Sequence, residues 1–209
     1  MTISSQDPLL KEITDTLSDE NRLGVILAAQ MGGAPEEVQV ILQTTAFDAA
    51  EQGLKPDKTF VIRCLGVQEH RVSLGLFNTM VYVETHPLLW NHNFAFKQVY
   101  FRGTPKDVND LMLDLNQLYG ATYGPFRNLA DNINRSMPLG TLLSSGHGLL
   151  GEMPEPIAEK VKTLLENHGL SVRFVDTELK EPPVKFSLLV MDDSFFIAQL
   201  YSAEPMNRN

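Results

Sequence analysis

Over the first fifty residues, apolar positions recur at helical spacing. Asp7 followed by Pro8 reads as an N-cap with proline at the first helical position, and Leu9, Leu10, Ile13 and Leu17 then share one stripe. Ser18 offers a second cap ahead of Leu23, Ile26, Leu27 and Met31, with Gly32-Gly33 as a stop. Pro35 opens a third segment that places Val38, Ile41, Leu42, Thr45, Ala46 and Ala49 on one face and ends at Gly53. The pattern predicts a helical N-terminal subdomain over residues 1–53, with residues 54–57 as the linker that follows it.

The period then changes. Residues 58–65, 76–83 and 96–102 are rich in Val, Ile, Phe and Tyr and predict strands. Thr104-Pro105 announces an amphipathic helix with Val108, Leu111, Met112, Leu115 and Leu118 inward and Gly120 at its end; a shorter helix is expected over 125–134. Pro156 opens another, carrying Ile157, Val161, Leu164 and Leu165 and stopped by Gly169. Residues 170–175 predict a strand, and 184–190 with 195–201 a hairpin turned at Asp192-Asp193. Phe186, Leu188 and Val190, with Phe195, Phe196, Ile197, Ala198 and Leu200, make that hairpin apolar on both faces. Such a hairpin must run centrally in a covered sheet or lie beneath a partner subunit. The expected class is α+β: one domain of 209 residues, with a mainly antiparallel sheet packed by helices over 58–209 behind the helical opening.

Charge and cysteine usage narrow the function classes. The 26 Asp and Glu against 17 Lys and Arg give a net charge of −9, a field that repels phosphate backbones and disfavours nucleic acid. Cys64 is the single cysteine, so neither an internal disulfide nor a cysteine-based zinc site is available, which fits a reducing compartment. Residues 1–7 carry no basic or apolar leader pattern, and no apolar run approaches bilayer length. A cytoplasmic location without membrane insertion is expected.

Four constellations invite a chemical reading. Ala28, Gly32 and Val38 match a helix-turn-helix, a DNA-binding motif, but Pro35-Glu36-Glu37 would press carboxylates toward phosphates. Gly146-His147-Gly148-Leu149-Leu150-Gly151 fits a dinucleotide fingerprint with Asp176 downstream, yet Glu152-Met153-Pro154-Glu155-Pro156 separates it from the next helix. A looser alternative is an anion held at Ser144, Ser145, Gly146, His147 and Gly148; a Ser/His nucleophile there lacks the elbow pattern. Glu84, His86 and His92 supply donors for an intermediate metal. Finally, Leu88, Leu89, Trp90 and Phe94 stand out as an apolar group in a polar stretch, suited to a protein contact anchored by Trp90.

The strings EHRVSLGLF (69–77), HPLLW (86–90), VYFRGTP (99–105) and GLLGEMPEP (148–156) resemble an uncharacterised family associated with cyanobacteria. That resemblance implies a photosynthetic bacterial setting and carries no assigned activity or catalytic residues. The sequence therefore predicts a non-enzymatic interaction or regulatory module that binds a protein partner or itself, with no cofactor. The alternatives are a ligand- or metal-binding enzyme built on the Glu84, His86, His92 and 144–148 groups, and a DNA-binding regulator.

Overall fold

The computed structural model describes residues 7–48, 50, 52–177 and 184–206. In chain order it contains helix α1 (Pro8–Leu17) and strands β1 (Arg22–Met31), β2 (Val38–Asp48), β3 (Gly53–Leu65), β4 (Glu69–Arg71), β5 (Gly75–Phe77) and β6 (Met80–Val83). A 3-10 turn (Pro87–Leu89) leads into α2 (Trp90–Asn93), β7 (Phe96–Arg102) and α3 (Val108–Tyr123). A second 3-10 turn (Leu129–Asp131), α4 (Leu139–Ser144), β8 (His147–Pro154), α5 (Glu155–Asn167) and β9 (Ser171–Asp176) follow. The chain closes with β10 (Ser187–Met191), β11 (Ser194–Ala198) and β12 (Leu200–Pro205). Every strand pairing is antiparallel, and the fold is α+β. Two compact units emerge: Met1–Thr85 with Lys185–Asn209, and His86–Val184.

The helical subdomain expected over 1–53 forms only as far as α1. The second and third expected helices are β1 and β2, paired along their length. The competing period wins for a physical reason. Val38, Val40 and Leu42 alternate into the core, and the β-branched Val38, Val40, Ile41, Thr44 and Thr45 suit a pleated surface better than a helix. Residues 54–57, read as a linker, lie inside β3. Ala49, on the same expected helical face, is outside the described residues.

In the first unit one sheet has the order β12-β3-β2-β1-β5 and a second the order β4-β11-β10-β6. Their shared core takes Ile26, Val40, Leu42, Phe60, Ile62 and Cys64 from the first sheet and Leu189, Met191, Phe196 and Ala198 from the second. Leu10, Ile13 and Leu17 of α1 complete it. Asp7 fixes that helix at both ends of its carboxylate: Oδ1 accepts from Leu9 N–H at 2.8 Å, and Oδ2 accepts from Ala203 N–H of β12 at 3.0 Å. The hairpin β10–β11 is central in its sheet, and β11 is buried along its whole length.

The second unit carries a three-stranded sheet, β8-β7-β9. Val99 and Phe101 of β7 are buried, as are Leu111 and Leu115 of α3 and Ile157, Val161 and Leu165 of α5. The helix expected over 125–134 is reduced to the turn Leu129–Asp131, because the chain beyond it is held extended against β8. Glu152 N–H donates to Asn132 O at 3.0 Å and Asn134 N–H to Leu150 O at 2.8 Å. Gly151 permits this approach; a Cβ there would overlap the Asn132 carbonyl oxygen.

Candidate functional site

The structure dissolves most of the constellations that the sequence suggested. Ala28 lies in β1, Gly32 in the following turn and Val38 at the start of β2, so no helix-turn-helix exists at these positions. The dinucleotide fingerprint falls within the α4–β8 turn and β8 itself, without the strand–turn–helix order that would aim amides at a pyrophosphate. Asp176 is engaged by Lys97 Nζ at 2.6 Å. Gly146 and Gly148 have positive φ (+78° and +155°), and their role is to turn the chain and begin β8.

The Ser144–Gly148 group does not assemble an anion cradle. The Ser144 hydroxyl donates to Gly140 O at 2.7 Å, and Ser145 Oγ lies 2.7 Å from Leu142 O and 2.9 Å from His147 O. The Ser145 amide donates back into α4, and His147 and Gly148 sit in β8 opposite Arg102 and Phe101. These groups are spent on local structure. The metal reading fails likewise: among the described residues no three His, Cys, Asp or Glu side chains are placed to share an ion, so Glu84, His86 and His92 form no centre. His86 caps the Pro87–Leu89 turn, its Nδ1 accepting from Leu88 N–H at 3.2 Å, and burial lowers its pKa below the ordinary histidine value.

The Trp90 group is an internal packing feature. Leu88 and Leu89 are fully buried. Trp90 meets Tyr123 edge-on with ring centroids 5.9 Å apart, and Lys160 Nζ sits 5.3 Å over its ring. Of the four residues, only Phe94 has substantial exposure, at 37%. The β10–β11 hairpin is resolved the same way: Leu188, Leu189, Phe195, Phe196 and Ile197 are all buried within one chain.

The polar groupings around His168, α1 and Tyr123 assemble no catalytic or binding constellation among the described residues. His168 Nε2 and Asp114 Oδ2 are 2.8 Å apart, but among the described residues no Ser, Thr or Cys is hydrogen-bonded to that ring. A groove of about 790 Å³ beside α1 is lined by Lys11, Glu12, Arg22, Asp57 and Lys58. Its Lys58–Glu12 and Arg22–Asp57 pairs, each at 2.7 Å, already neutralise one another. The Tyr123 hydroxyl and Asn91 Oδ1 are buried without a hydrogen-bond partner among the described residues, and burial pushes the Tyr123 phenol up to about 12.

What remains is a surface in the first unit. Strand β5 pairs with β1 only from Gly24 to Ile26, and the pairing of β1 with β2 has a bulge between Ile26 and Ala28. From Leu27 to Met31 no described strand pairs with the second edge of β1. Leu27 (48% exposed) and Met31 (69%) lie on this open edge, and Leu74 (65%) and Leu76 (61%) sit at its β5 end. The sequence held a signal for this surface: residues 23–35, between Arg22 and Glu36, contain no charge in a chain of net −9. The helical spacing of Leu23, Ile26 and Leu27 in the same segment masks that signal. No family model, no curated protein and no solved structure matches the chain.

Proposed function

We propose that the protein is a non-enzymatic interaction module that associates with copies of itself. The observation that carries this reading is the open edge of β1, where backbone that no described strand pairs and exposed Leu27 and Met31 coincide in a segment without charge, with exposed Leu74 and Leu76 beside its β5 end. An exposed strand edge offers a row of unpaired N–H and C=O groups, and proteins that remain monomeric guard such edges with Lys, Pro or inward charges. Between Leu23 and Ala34 no Lys, Pro or charge stands; the bulge between Ile26 and Ala28 is the one such guard, and Ala28–Met31 beyond it is regular strand. Apolar side chains beside the edge add burial, at about 25 cal/mol for each Å² removed from water. The β10–β11 hairpin, whose apolar faces first suggested a partner, satisfies itself within the chain, so the weight of the reading moves to β1. Light scattering across a concentration series tests it. The expected result is a mass rising toward the dimer, and a monomer mass throughout would refute it.

A further inference from the structure

The second unit carries an exposed sheet face of a different chemistry. In the sheet β8-β7-β9, Val99 and Phe101 of β7 are buried. Phe174 of β9 pairs with Val99, and Lys162 Nζ of α5 sits 5.5 Å over its ring, so this is the face that the helix covers. Successive residues of a strand alternate between faces, which puts Tyr100 and Arg102 of β7 and Arg173 of β9 on the opposite one. All three are exposed. We propose that this face binds single-stranded nucleic acid, with a base stacked on Tyr100 and neighbouring phosphates paired with Arg102 and Arg173.

The two arginines stand apart from the rest. With 26 acidic against 17 basic side chains, carboxylates are plentiful in this chain. Arg22 pairs with Asp57, Arg63 with Glu204 and Arg135 with Asp131, and Arg71 and Arg127 are engaged as well. Arg102 and Arg173 have no hydrogen-bond or ion-pair partner among the described residues. Arg102 pairs with Ser171 and Tyr100 with Arg173, so the two arginines are diagonal neighbours with Cα atoms roughly 7–8 Å apart. Like charges at that spacing repel one another, and a bound anion relieves the repulsion. The carboxylate that β8 brings to this face, Glu152, opposes Gln98, about 13 Å along β7 from Arg102 at ~3.4 Å per residue.

Two guanidiniums alone would accept any anion; the tyrosine selects among them. Tyr100 opposes Arg173 and stands two residues from Arg102 on the same face, its hydroxyl 3.3 Å from Gln98 Oε1. A single strand of nucleic acid presents a flat base beside each phosphate, so the ring and the guanidiniums are met together. An acidic peptide brings carboxylates with no flat group attached to each. In a duplex the bases stack on one another and are closed to a side-chain ring. The net charge of −9 opposes the approach of any polyanion, so the contact depends on these three side chains and not on a diffuse field. The β1 edge belongs to the first unit, and this assignment stands or falls separately from self-association.

Fluorescence anisotropy of labelled oligothymidylate and oligouridylate, titrated with the whole chain at low salt, tests the assignment. Saturable binding of at least one strand is expected, and the tighter of the two identifies the source as DNA or RNA. Tyr100→Ala is expected to weaken binding about tenfold, the order of one stacked base, and Tyr100→Phe, which keeps the ring, to leave it unchanged. Arg102→Gln combined with Arg173→Gln is expected to weaken it at least about tenfold and to flatten the log–log salt dependence by about 1.4, two phosphates at ~0.7 each. Lys55→Gln removes an exposed charge from β3 in the first unit and is expected to change nothing. Circular dichroism checks that each variant folds. Absence of saturable binding at low salt overturns the assignment, as does binding indifferent to Tyr100→Ala or to the paired arginine substitutions. A duplex bound as tightly as the single strand, or polyglutamate displacing the label as well as unlabelled oligonucleotide does, overturns it too.

Discussion

Asp192 is the side chain whose replacement reports most clearly on how the first unit is tied together. It sits in the turn between β10 and β11 with φ +46°, a left-handed conformation that Asp and Asn tolerate better than other residues with a Cβ. Its Oδ2 accepts from Asn78 N–H at 2.8 Å and Asn78 Nδ2 at 3.3 Å; its Oδ1 accepts from Thr79 N–H at 3.0 Å and Thr79 Oγ1 at 2.7 Å. One carboxylate thus holds the β5–β6 turn to the β10–β11 turn. Partial burial on its own would raise the pKa, but the bonds from Asn78 and Thr79 outweigh it and hold the group below its ordinary value of 3.8. Asp192→Asn keeps the shape and the turn conformation while replacing one oxygen with an NH₂ that confronts two donors. Hydrogen bonds to a charged acceptor contribute roughly 1.5–3 kcal/mol each when buried, and solvent exposure here reduces the total loss to about 2 kcal/mol. Urea unfolding near neutral pH measures it. Because the folded pKa is depressed, the contribution is complete above the ordinary value and disappears as pH falls through the folded one. Wild type and variant are therefore expected to converge in acid. Equal stability at neutral pH, or a gap that persists undiminished in acid, would refute the reasoning.

Three further outcomes follow from packing. Leu89→Ala is expected to destabilise the second unit by about 2–5 kcal/mol in urea unfolding. It is expected to leave association unchanged by light scattering, because Leu89 is core and not contact surface. Gly151→Ala is expected to cost roughly 1–3 kcal/mol, read as a lowered unfolding midpoint, since the new methyl must displace the Asn132 backbone. Cys64, whose thiol burial pushes up to about 12, is expected to react with a thiol reagent only when the first unit unfolds; rapid reaction of native protein would contradict its placement.

Where a local signal and tertiary packing agree, the sequence was a good guide. The Asp7-Pro8 start of α1, the amphipathic run of α3, and the β7, β9 and β10–β11 strands follow the apolar spacing. Even so, α3 runs on through the expected stop at Gly120 to Tyr123, and the strand expected over 195–201 ends at Ala198, with Leu200 opening β12 in the other sheet. Proline and aspartate act within a few residues, and a sixteen-residue stripe leaves little room for another period. The failure over β1 and β2 came from a real ambiguity. Leu23, Ile26 and Leu27 fit a helical stripe, yet Ile26 is the one of them that reaches the core cluster. In β2, Val38, Val40 and Leu42 alternate, and the same residues joined to Ile41 and Thr45 also read as helix. Only the neighbouring β3 decides between them, and that pairing is not local.

The candidate chemistry misled for a related reason. Glycines that resemble a phosphate loop are consumed by a tight turn and by the close passage of residues 132–134 past β8. The conspicuous Trp90 segment is apolar because it folds inward, its neighbours Leu88 and Leu89 filling the interior. The open edge of β1 was visible only as a missing feature, the lack of charge from 23 to 35, and its meaning depends on knowing that the segment is a strand. Among the described residues, no helix is long and apolar enough to cross a membrane, which agrees with the sequence as far as helices go.

Amide hydrogen exchange along β1, compared between dilute and concentrated protein, reads the proposed contact directly. Amides of residues 27–31 that point away from β2 are expected to become protected as concentration rises, while exchange along β12, the opposite edge of the same sheet, stays constant. Unchanged exchange at 27–31 in a sample whose mass has doubled would contradict the account.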